Sequence, residues 1–404
     1  MNNLAYNLDH FAVEKSGVMR LTLTDFRNYQ FLRINAGFEP VIITGDNGAG
    51  KTNILEAISF LTPGRGLRGA RLSDIKRITA AEDSTLNPCV SWAVAAKISK
   101  GEDCFDIATA VEPTLREVRE DEEESRTFER RVVKIDGTKI SSQADLGNYI
   151  SAIWLTPQMD RLFRGGSQPR RSFLDRLVYD FDMEHAKRIS SFEHLYKEWY
   201  RLLKDGKHDS FWLSGLEENM ASVGVAIAAA RREQIARLNT FIEHEPDDVF
   251  PSVRLELDGT IEKLLDTLPA IEAEDRYRDI LQKMRRNVIY NDTIEGVNRT
   301  DFKVYYRKKG IPADLCSTGE QKSLLISIIL AQSKCQSLYK GFAPIMLLDE
   351  VVAHLDDIKR EALIAKIEEL NVQAWITSTN AELFDSLRGR ARFLRVDNNQ
   401  LFEE

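Results

Sequence analysis

The sequence has few cysteines and no long apolar run. Its four cysteines are scattered along 404 residues, at Cys89, Cys104, Cys316 and Cys335. This spacing indicates neither a zinc site nor a disulfide framework, so we expect a reducing, cytoplasmic environment. No apolar run approaches the roughly 20 residues that a membrane helix needs. Residues 1–17 are polar, without the basic start and apolar middle of a signal peptide, so we expect neither a signal peptide nor a membrane partner.

Positive charge is not in excess either. Lys and Arg number 55 against 63 Asp and Glu, which gives a formal net charge of −8. The composition therefore predicts no attraction of the whole molecule to nucleic acid, and any nucleic-acid surface must be a local basic patch. The chain is long enough for two or three domains with a real core. It contains no internal repeat and no low-complexity linker.

The sequence does contain a phosphate-binding motif, G-x-x-x-x-G-K-[ST], which runs from Gly45 to Thr52. The apolar run 41–43 before it predicts a buried strand, and residues 53–58 have the spacing of a helix. The alternative is a chance Gly-rich turn, but these flanks supply the strand, loop and helix that the motif requires. The predicted nucleotide-binding residues of this segment are Gly45, Asp46, Asn47, Gly48, Ala49, Gly50, Lys51, Thr52 and Asn53.

The chemistry of the loop gives two of these residues particular roles. Glycines let the backbone wrap closely around a phosphate chain, with N–H groups and the positive end of the helix dipole directed at the anion. Lys51 is predicted to reach the β- and γ-phosphates of ATP, and the Thr52 hydroxyl to ligate Mg²⁺.

An apolar run near the C-terminus ends in two acids, Asp349 and Glu350. Such a run is typical of a parallel strand that is buried on both faces. At the carboxyl end of the strand, Asp349 is predicted to hold Mg²⁺ through water. Glu350 is predicted to be the base that orients or deprotonates an attacking water. Paired with the phosphate loop, these acids indicate an ATPase.

The segment 317–322 opens an apolar helix and allows two interpretations. Ser317 with Glu320 three residues later is the pattern of a capping box. The same geometry also makes an anion site at a helix N-terminus, formed by the Ser317 hydroxyl and the Gly319 amide. Under the second interpretation Ser317, Gly319 and Gln321 belong to the nucleotide site.

Basic residues cluster in three places. Arg65 and Arg68 lie in a Gly-rich loop close in sequence to the phosphate loop, where they form either a solvated turn or a phosphate contact. Two further clusters are candidate DNA contacts, although each arginine taken singly also suits a plain soluble surface. The candidate DNA-binding residues are Arg161, Arg164, Arg170, Arg171, Arg307, Lys308 and Lys309.

The order of segments predicts an α/β protein. Strand-like runs at 90–98, 105–111 and 130–135 indicate a β subdomain, and a helix that Pro169 starts leads into helical periodicity from 173 to about 241. The heptad pattern is not sustained over the long stretch that a coiled-coil arm would need. We place the borders at 1–178 for the N-terminal part of the head, 179–295 for a helical lobe and 296–404 for the C-terminal part of the head.

With this order of motifs the chain resembles an ATP-binding-cassette (ABC-type) head. Within that group it is similar to the RecF family of bacterial recombination mediators, SMC-like ATPases, over nearly its whole length. The resemblance is carried by residues 26–29, 45–58, 64–68, 169–175, 296–302 and 317–332. The implied fold is a P-loop ATPase head with a β subdomain and an inserted helical lobe.

The resemblance implies an ATP-dependent homodimer. The signature around Ser317 of one subunit would cap the ATP held by the phosphate loop of the other, and slow hydrolysis at Glu350 would open the pair. Gln158 would be the lid glutamine that contacts Mg²⁺ and the attacking water; a plain loop glutamine is the alternative. The implied partners are gapped or junction DNA, RecR and RecO, and indirectly the recombinase.

The chain departs from the family pattern in two places. The usual Gly-Pro-His-Arg-Asp-Asp appears as residues 296–301 with Asn298 in place of the histidine, and residues 377–379 stand where many cassette ATPases have a switch histidine.

The rival functions are a transporter ATPase subunit, an SMC-like head with an arm, an ATPase fused to a nuclease, and a nucleotide-dependent scaffold. The form of the signature disfavours a transporter subunit, and the short helical insertion disfavours an SMC-like arm. The short stretch of chain after Asp356 disfavours a fused nuclease. Glu350 weakly disfavours the scaffold.

Overall fold

The computed structural model describes residues 13–77, 92–115, 127–206, 209–244, 249–285, 295–352 and 355–404. The chain forms two compact units. The first combines Met1–Pro157 with Gln336–Glu404, and the second is Gln158–Cys335. The borders expected after residues 178 and 295 both lie inside the second unit and remain a prediction. Cys104, Cys316 and Cys335 are free thiols, while Cys89 lies outside the described residues.

The helices and strands follow each other as in a mixed α/β protein. The strands of the described residues are β1 Ser16–Phe26, β2 Tyr29–Asn35, β3 Val41–Thr44, β4 Ala93–Lys100, β5 Asp103–Leu115, β6 Thr127–Ile135, β7 Thr138–Lys139, β8 Ala152–Leu155, β9 Val253–Asp258, β10 Asp301–Tyr306, β11 Ile311–Pro312, β12 Ile345–Asp349, β13 Ala374–Ser378, β14 Arg392–Asp397 and β15 Gln400–Glu403. The α-helices are α1 Lys51–Ser59, α2 Ser167–Tyr179, α3 His185–Lys204, α4 Ser210–His244, α5 Thr260–Thr267, α6 Ala270–Met284, α7 Thr318–Lys340 and α8 Asp357–Glu369.

The first unit is built on a largely parallel sheet. Its described strands run in the order β15-β14-β3-β13-β12-β8, and only β14 and β15 pair antiparallel. Every residue of β3, β8, β12 and β13 is buried, as expected of parallel strands covered on both faces. Because neighbouring parallel strands end at the same edge, the phosphate loop after β3 and the acids at the end of β12 lie together.

A second sheet of the first unit is antiparallel. Its described strands have the order β2-β1-β4-β5-β6-β7. It packs against α1 through an aromatic cluster in which the Phe26 ring lies 6.1 Å from that of Phe60 and 5.6 Å from that of Trp92. The β1–β2 turn is thereby held beside the helix that follows the phosphate loop.

The second unit is mainly helical. Helices α3, α4 and α6 enclose a core that includes Phe192, Trp199 and Tyr277, all of them buried. The helical stretch predicted from residue 173 is confirmed and divides into α2, α3 and α4. The prediction missed α5 and the strand β10, which pairs antiparallel with β9 and β11. Among the described residues, no helix has both the length and the apolar character that a membrane span requires.

Candidate functional site

The phosphate loop adopts a backbone that only glycine tolerates at two points. Gly45 and Gly50 have φ values of +143° and +108°. A Cβ atom at Gly45 would lie 2.3 Å from the Val396 carbonyl oxygen, and one at Gly50 would lie 2.2 Å from the Asn28 side chain. No side chain of the described residues caps α1, which begins at Lys51. The Asn53 N–H donates to the Gly50 carbonyl at 3.0 Å, so the N–H groups of Lys51 and Thr52 are the ones that the start of the helix offers to an anion.

The Lys51 side chain lies inside the loop. Its ammonium donates hydrogen bonds to the carbonyl oxygens of Gly45 and Asp46, at 2.7 and 2.8 Å. It is only 3% exposed and lies 3.9 Å from a Glu350 carboxylate oxygen. Burial lowers the pKa of Lys51, while the neighbouring carboxylates of Glu350, Asp349 and Asp46 oppose that shift. A positive charge is thus fixed at the centre of the loop, where a phosphate needs it.

Thr52 and Asp349, the two residues predicted to hold Mg²⁺ at the end of the sheet, lie together in the structure. The Thr52 hydroxyl donates to Asp349 Oδ1 at 2.8 Å. A hydroxyl and a carboxylate are the hard oxygen donors that suit Mg²⁺, which takes one or two protein ligands and fills its remaining positions with water and phosphate. The described residues hold no group of three or more His, Cys, Asp or Glu side chains that could bind a metal by themselves. The pair therefore fits a magnesium ion that arrives with a nucleotide.

A further hydroxyl joins this pair from the neighbouring strand. Thr377, at the position paired with Asp349 in the β12–β13 ladder, donates to Asp349 Oδ1 at 2.8 Å. Its oxygen also accepts the backbone N–H of Glu350 at 3.0 Å. The sequence pointed to residues 377–379 only as a missing histidine, so this contact was not predicted.

The turn between β1 and β2 supports the loop from the side. Asn28 donates to the Ala49 carbonyl at 3.2 Å and accepts a bond from Asn53 at 2.7 Å. Arg27 makes a two-pronged ion pair with the buried carboxylate of Glu56, at 2.7 and 2.9 Å. Sequence reasoning treated this segment as a family motif without assigning contacts, because the partners are more than twenty residues away.

Of Arg65 and Arg68, the two predicted phosphate contacts in the Gly-rich loop, Arg68 reaches α1. Its guanidinium donates to Asn53 at 2.9 Å and to Glu56 at 3.2 Å, and both Arg65 and Arg68 are exposed. A direct contact of either residue with ATP stays a prediction. The loop itself is anchored by Arg131, which donates to the carbonyl of Gly64 at 2.5 Å and to the Thr109 hydroxyl at 2.8 Å. Burial lowers the pKa of Arg131 to about 10.

The signature segment of the second unit forms the capping box. The backbone N–H and the hydroxyl of Ser317 both donate to Glu320 Oε2 at 2.8 Å, and the Glu320 N–H returns a bond to Ser317 at 3.3 Å. Gly319 is exposed, with open space where a Cβ would lie. Gln321 is buried and donates to the Cys316 carbonyl at 3.0 Å, which makes it a support of the turn. The anion interpretation of Ser317 and Gly319 stays a prediction.

The predicted DNA contacts differ in how far they are already engaged. Arg170 makes a two-pronged ion pair with Asp301 at 2.8 and 2.9 Å. Arg171 donates to the Thr300 carbonyl at 3.0 Å. The other five are exposed, and among them Arg164 bonds Thr318, Arg307 pairs with Glu243, and Lys309 pairs with Glu320. Gln158 is exposed in the 3₁₀ turn Pro157–Arg161, and its role as lid glutamine stays a prediction.

Nearly the whole chain is similar to known proteins. The family model described as the RecF/RecN/SMC N terminal domain matches residues 17–400. The DNA replication and repair protein RecF of Allorhizobium ampelinum is 41% identical over 391 residues, which cover 96% of this chain and 99% of that protein. The protein of the same name from Mesorhizobium japonicum is 43% identical over 383 residues, covering 94% of this chain and 96% of that protein.

Solved structures show the same fold. A structure of the recombination mediator protein RecF with ATP, described as part of the RecFOR pathway, aligns with a TM-score of 0.80 at 19% identity, and the match covers 98% of this chain and 99% of that chain. An SMC head bound to the C-winged helix domain of ScpA aligns with a TM-score of 0.51 at 14% identity, covering 96% and 97% of the two chains. These likenesses confirm the α/β ATPase-head fold that the sequence predicted.

Proposed function

The chain belongs to the RecF family of DNA replication and repair proteins, and we propose that it is an ATP-dependent DNA-binding protein of recombinational repair. The observation that carries the proposal is the junction of Lys51, Thr52, Asp349 and Glu350 at one edge of the parallel sheet. We place the protein in the cytoplasm, as the cysteine usage favours.

The site supports slow ATP hydrolysis used as a switch. Lys51 binds the β- and γ-phosphates, and the amides at the start of α1 hold the phosphate chain. Thr52 and Asp349 hold Mg²⁺, which neutralises charge on the phosphates when it is bound. Glu350, whose side chain is one third exposed, accepts the proton of the attacking water. Gln158 is proposed as the lid residue on the water side.

ATP is proposed to close two copies of the chain into a dimer. Ser317 and Gly319 stand at an exposed helix start whose capping box satisfies its own donors locally. In a two-fold pair this turn would face the nucleotide of the other copy, so that each site is completed by its partner. Loss of the γ-phosphate would then release the pair. RecO and RecR are the proposed partners for loading the recombinase at gaps.

Sedimentation tests the proposal. Wild type and Lys51→Ala are sedimented with and without ATP and Mg²⁺, and with a gapped duplex at two salt concentrations. We expect only the wild type to form an ATP-dependent dimer that holds DNA, more weakly at the higher salt. A chain that stays monomeric and ignores DNA with every nucleotide would contradict the repair function. It would leave only a generic ATPase head.

The DNA surface is proposed to use the exposed basic residues first. A contact by Arg170 or Arg171 stays a prediction, but their guanidinium groups already bond Asp301 and Thr300. We expect Arg161→Ala with Arg164→Ala to weaken binding to all sequences and to lower the salt slope by about 1 for each lost phosphate contact. The control is Arg276→Ala, an exposed arginine on α6. Equal effects of the two changes would contradict this surface.

A scaffold that binds ATP without hydrolysing it is the second candidate function. It predicts the same ATP-dependent dimer, with a lifetime that does not depend on hydrolysis. Glu350 argues against it, because its carboxylate lies at the edge of the site beside Lys51. The lifetime of the ATP-dependent dimer of a Glu350→Gln variant separates the two functions, because only a dimer that hydrolyses ATP should gain lifetime from this change.

A further inference from the structure

Thr377 makes two hydrogen bonds that join both acids of the site. Its hydroxyl donates to Asp349 Oδ1, the same oxygen that accepts the bond from Thr52, and both bonds are 2.8 Å long. Its oxygen accepts the Glu350 N–H at 3.0 Å. The four groups thus form one chain of bonds, from Thr52 through Asp349 and Thr377 to the Glu350 backbone. Linked hydrogen bonds of this kind strengthen one another in a buried setting.

The hydrogen bond from the Glu350 N–H to Thr377 is made where the backbone is strained. Glu350 has a φ value of +51°, in the left-handed region that residues with a Cβ rarely adopt. Such strain persists only where surrounding contacts hold it. The Thr377 hydroxyl supplies a contact at the strained peptide itself. The direction in which the Glu350 side chain leaves the backbone therefore depends on Thr377.

The bond to Asp349 fixes the other half of the site. Two hydroxyl donors on Oδ1 hold the carboxylate in one orientation, and within the described part of the chain Oδ2 makes no hydrogen bond. Thr377 itself is completely buried, so water does not compete for its bonds. The metal-holding acid and the proton-accepting acid are consecutive residues. The Thr377 hydroxyl bonds the carboxylate of the first and the backbone N–H of the second.

We propose that Thr377 is a positioning residue for ATP hydrolysis, which holds Asp349 toward the metal and Glu350 toward the attacking water. The inference rests on the proposed ATPase function and deepens it. Thr377 stands in the segment where cassette ATPases have a switch histidine, and it acts on the two acids of its own chain. Its hydroxyl is buried and bonds the Asp349 carboxylate and the Glu350 N–H, so its effect is exerted through these two residues.

Two substitutions separate the hydroxyl from the rest of the side chain. Thr377→Val keeps the shape and removes both bonds, whereas Thr377→Ser keeps the hydroxyl and removes a methyl group. We measure kcat, KM for ATP, and the Mg²⁺ concentration that half-saturates the binding of a fluorescent ATP analogue. We expect Thr377→Val to lower kcat by roughly 10–100-fold and to raise the Mg²⁺ requirement, as loss of an outer-shell partner does at metal sites. KM should change much less, and Thr377→Ser should restore the wild-type values to within about threefold.

The possible outcomes test the positioning role of Thr377 separately from the proposed ATPase function. Wild-type kcat and Mg²⁺ requirement in Thr377→Val overturn it, and so does equal damage in Thr377→Ser, which would show that the methyl group matters. If the wild type binds ATP without hydrolysing it, the proposed ATPase fails, and the Mg²⁺ requirement of Thr377→Val still decides the positioning of Asp349. If the wild type binds no nucleotide while urea titration shows it folded, both fail.

Discussion

The phosphate loop of the first unit and the signature turn of the second are held in opposite ways. Around the loop, the contacts come from residues far away in the chain: Asn28 reaches Ala49, and Asp349 accepts from Thr52 across 297 residues of sequence. Around the turn, the capping contacts are local, although Arg164 also donates to Thr318 across 154 residues of sequence. Ser317 and Glu320 bond each other three residues apart, and Gln321 bonds the carbonyl of Cys316.

The central lysine of the loop is more buried than the start of the turn, although Asp46, Asn47 and Gly48 of the loop are exposed. The Lys51 side chain is 3% exposed, whereas Ser317, Thr318 and Gly319 are not buried. The loop is therefore a product of the folded sheet, with its lysine already directed inward. The turn is a self-capped helix start that presents its groups to whatever meets its surface. This contrast agrees with the proposed roles, in which the loop would bind ATP and the turn would contact the ATP bound by a second copy of the chain.

Among the substitutions that test this contrast, we expect a change at Glu350 to have the largest effect on ATP hydrolysis. Glu350→Gln removes the proton acceptor but keeps the side-chain shape, so kcat should fall by about 10²–10⁴-fold. ATP binding should remain, and the ATP-dependent dimer should live longer, because the γ-phosphate that bridges it is not removed. Stopped-flow ATP turnover and dimer dissociation after dilution measure both. A variant whose dimer has the wild-type lifetime would favour the scaffold function.

The next largest effect compares the phosphate loop with the signature turn directly. Lys51→Ala removes a buried charge-assisted donor, a kind of hydrogen bond worth about 1.5–3 kcal/mol, so ATP affinity should fall by roughly 10–100-fold. Ser317→Ala should leave the ATP affinity of a single protomer unchanged and weaken only the ATP-dependent dimer. Titration of a fluorescent ATP analogue at protein concentrations below and above dimerisation makes the comparison. If Ser317→Ala weakened ATP binding by the monomer, the division of roles between loop and turn would be wrong.

The sequence predicted the parts of the site that are local in the chain. The strand before the loop was predicted at 41–43 and spans Val41–Thr44, and the apolar run that ends in Asp349 forms β12, Ile345–Asp349. These segments combine an apolar run with a motif that marks its end, so no distant partner is needed to identify them. The capping box of Ser317 and Glu320 is local in the same way, and it was predicted as one of two interpretations.

The contacts that sequence reasoning missed join residues far apart. Thr377 bonds Asp349 across 28 residues, Arg131 bonds Gly64 across 67, and Arg170 bonds Asp301 across 131. A single sequence carries no signal for such pairs, because only the register of the sheets and the packing of helices bring them together. For the same reason, the arginine-rich stretch suggested a uniform basic patch, whereas Arg170 and Arg171 are engaged inside the second unit.

The smallest effect is expected at the capping box, and it depends on pH. The bond from Lys309 and the bonds from Ser317 lower the pKa of Glu320 to about 2. A carboxyl group whose folded pKa is depressed stabilises the fold above its unfolded pKa of about 4.3 and loses that contribution as pH falls through the folded value. The stability difference between wild type and Glu320→Gln should thus be constant from pH 7 to about 5 and shrink toward pH 2.

Urea titrations at several pH values measure this difference. The matched control is Glu218→Gln, at an exposed carboxylate on α4 of the same unit. Since the Glu320 pair lies at the surface, salt should reduce the difference, as it does for exposed ion pairs. A difference that stayed the same down to pH 2 would mean that the charge of Glu320 does not hold the turn. The turn would then depend on the neutral bonds of Ser317, and the contrast with the charge-centred phosphate loop would be stronger.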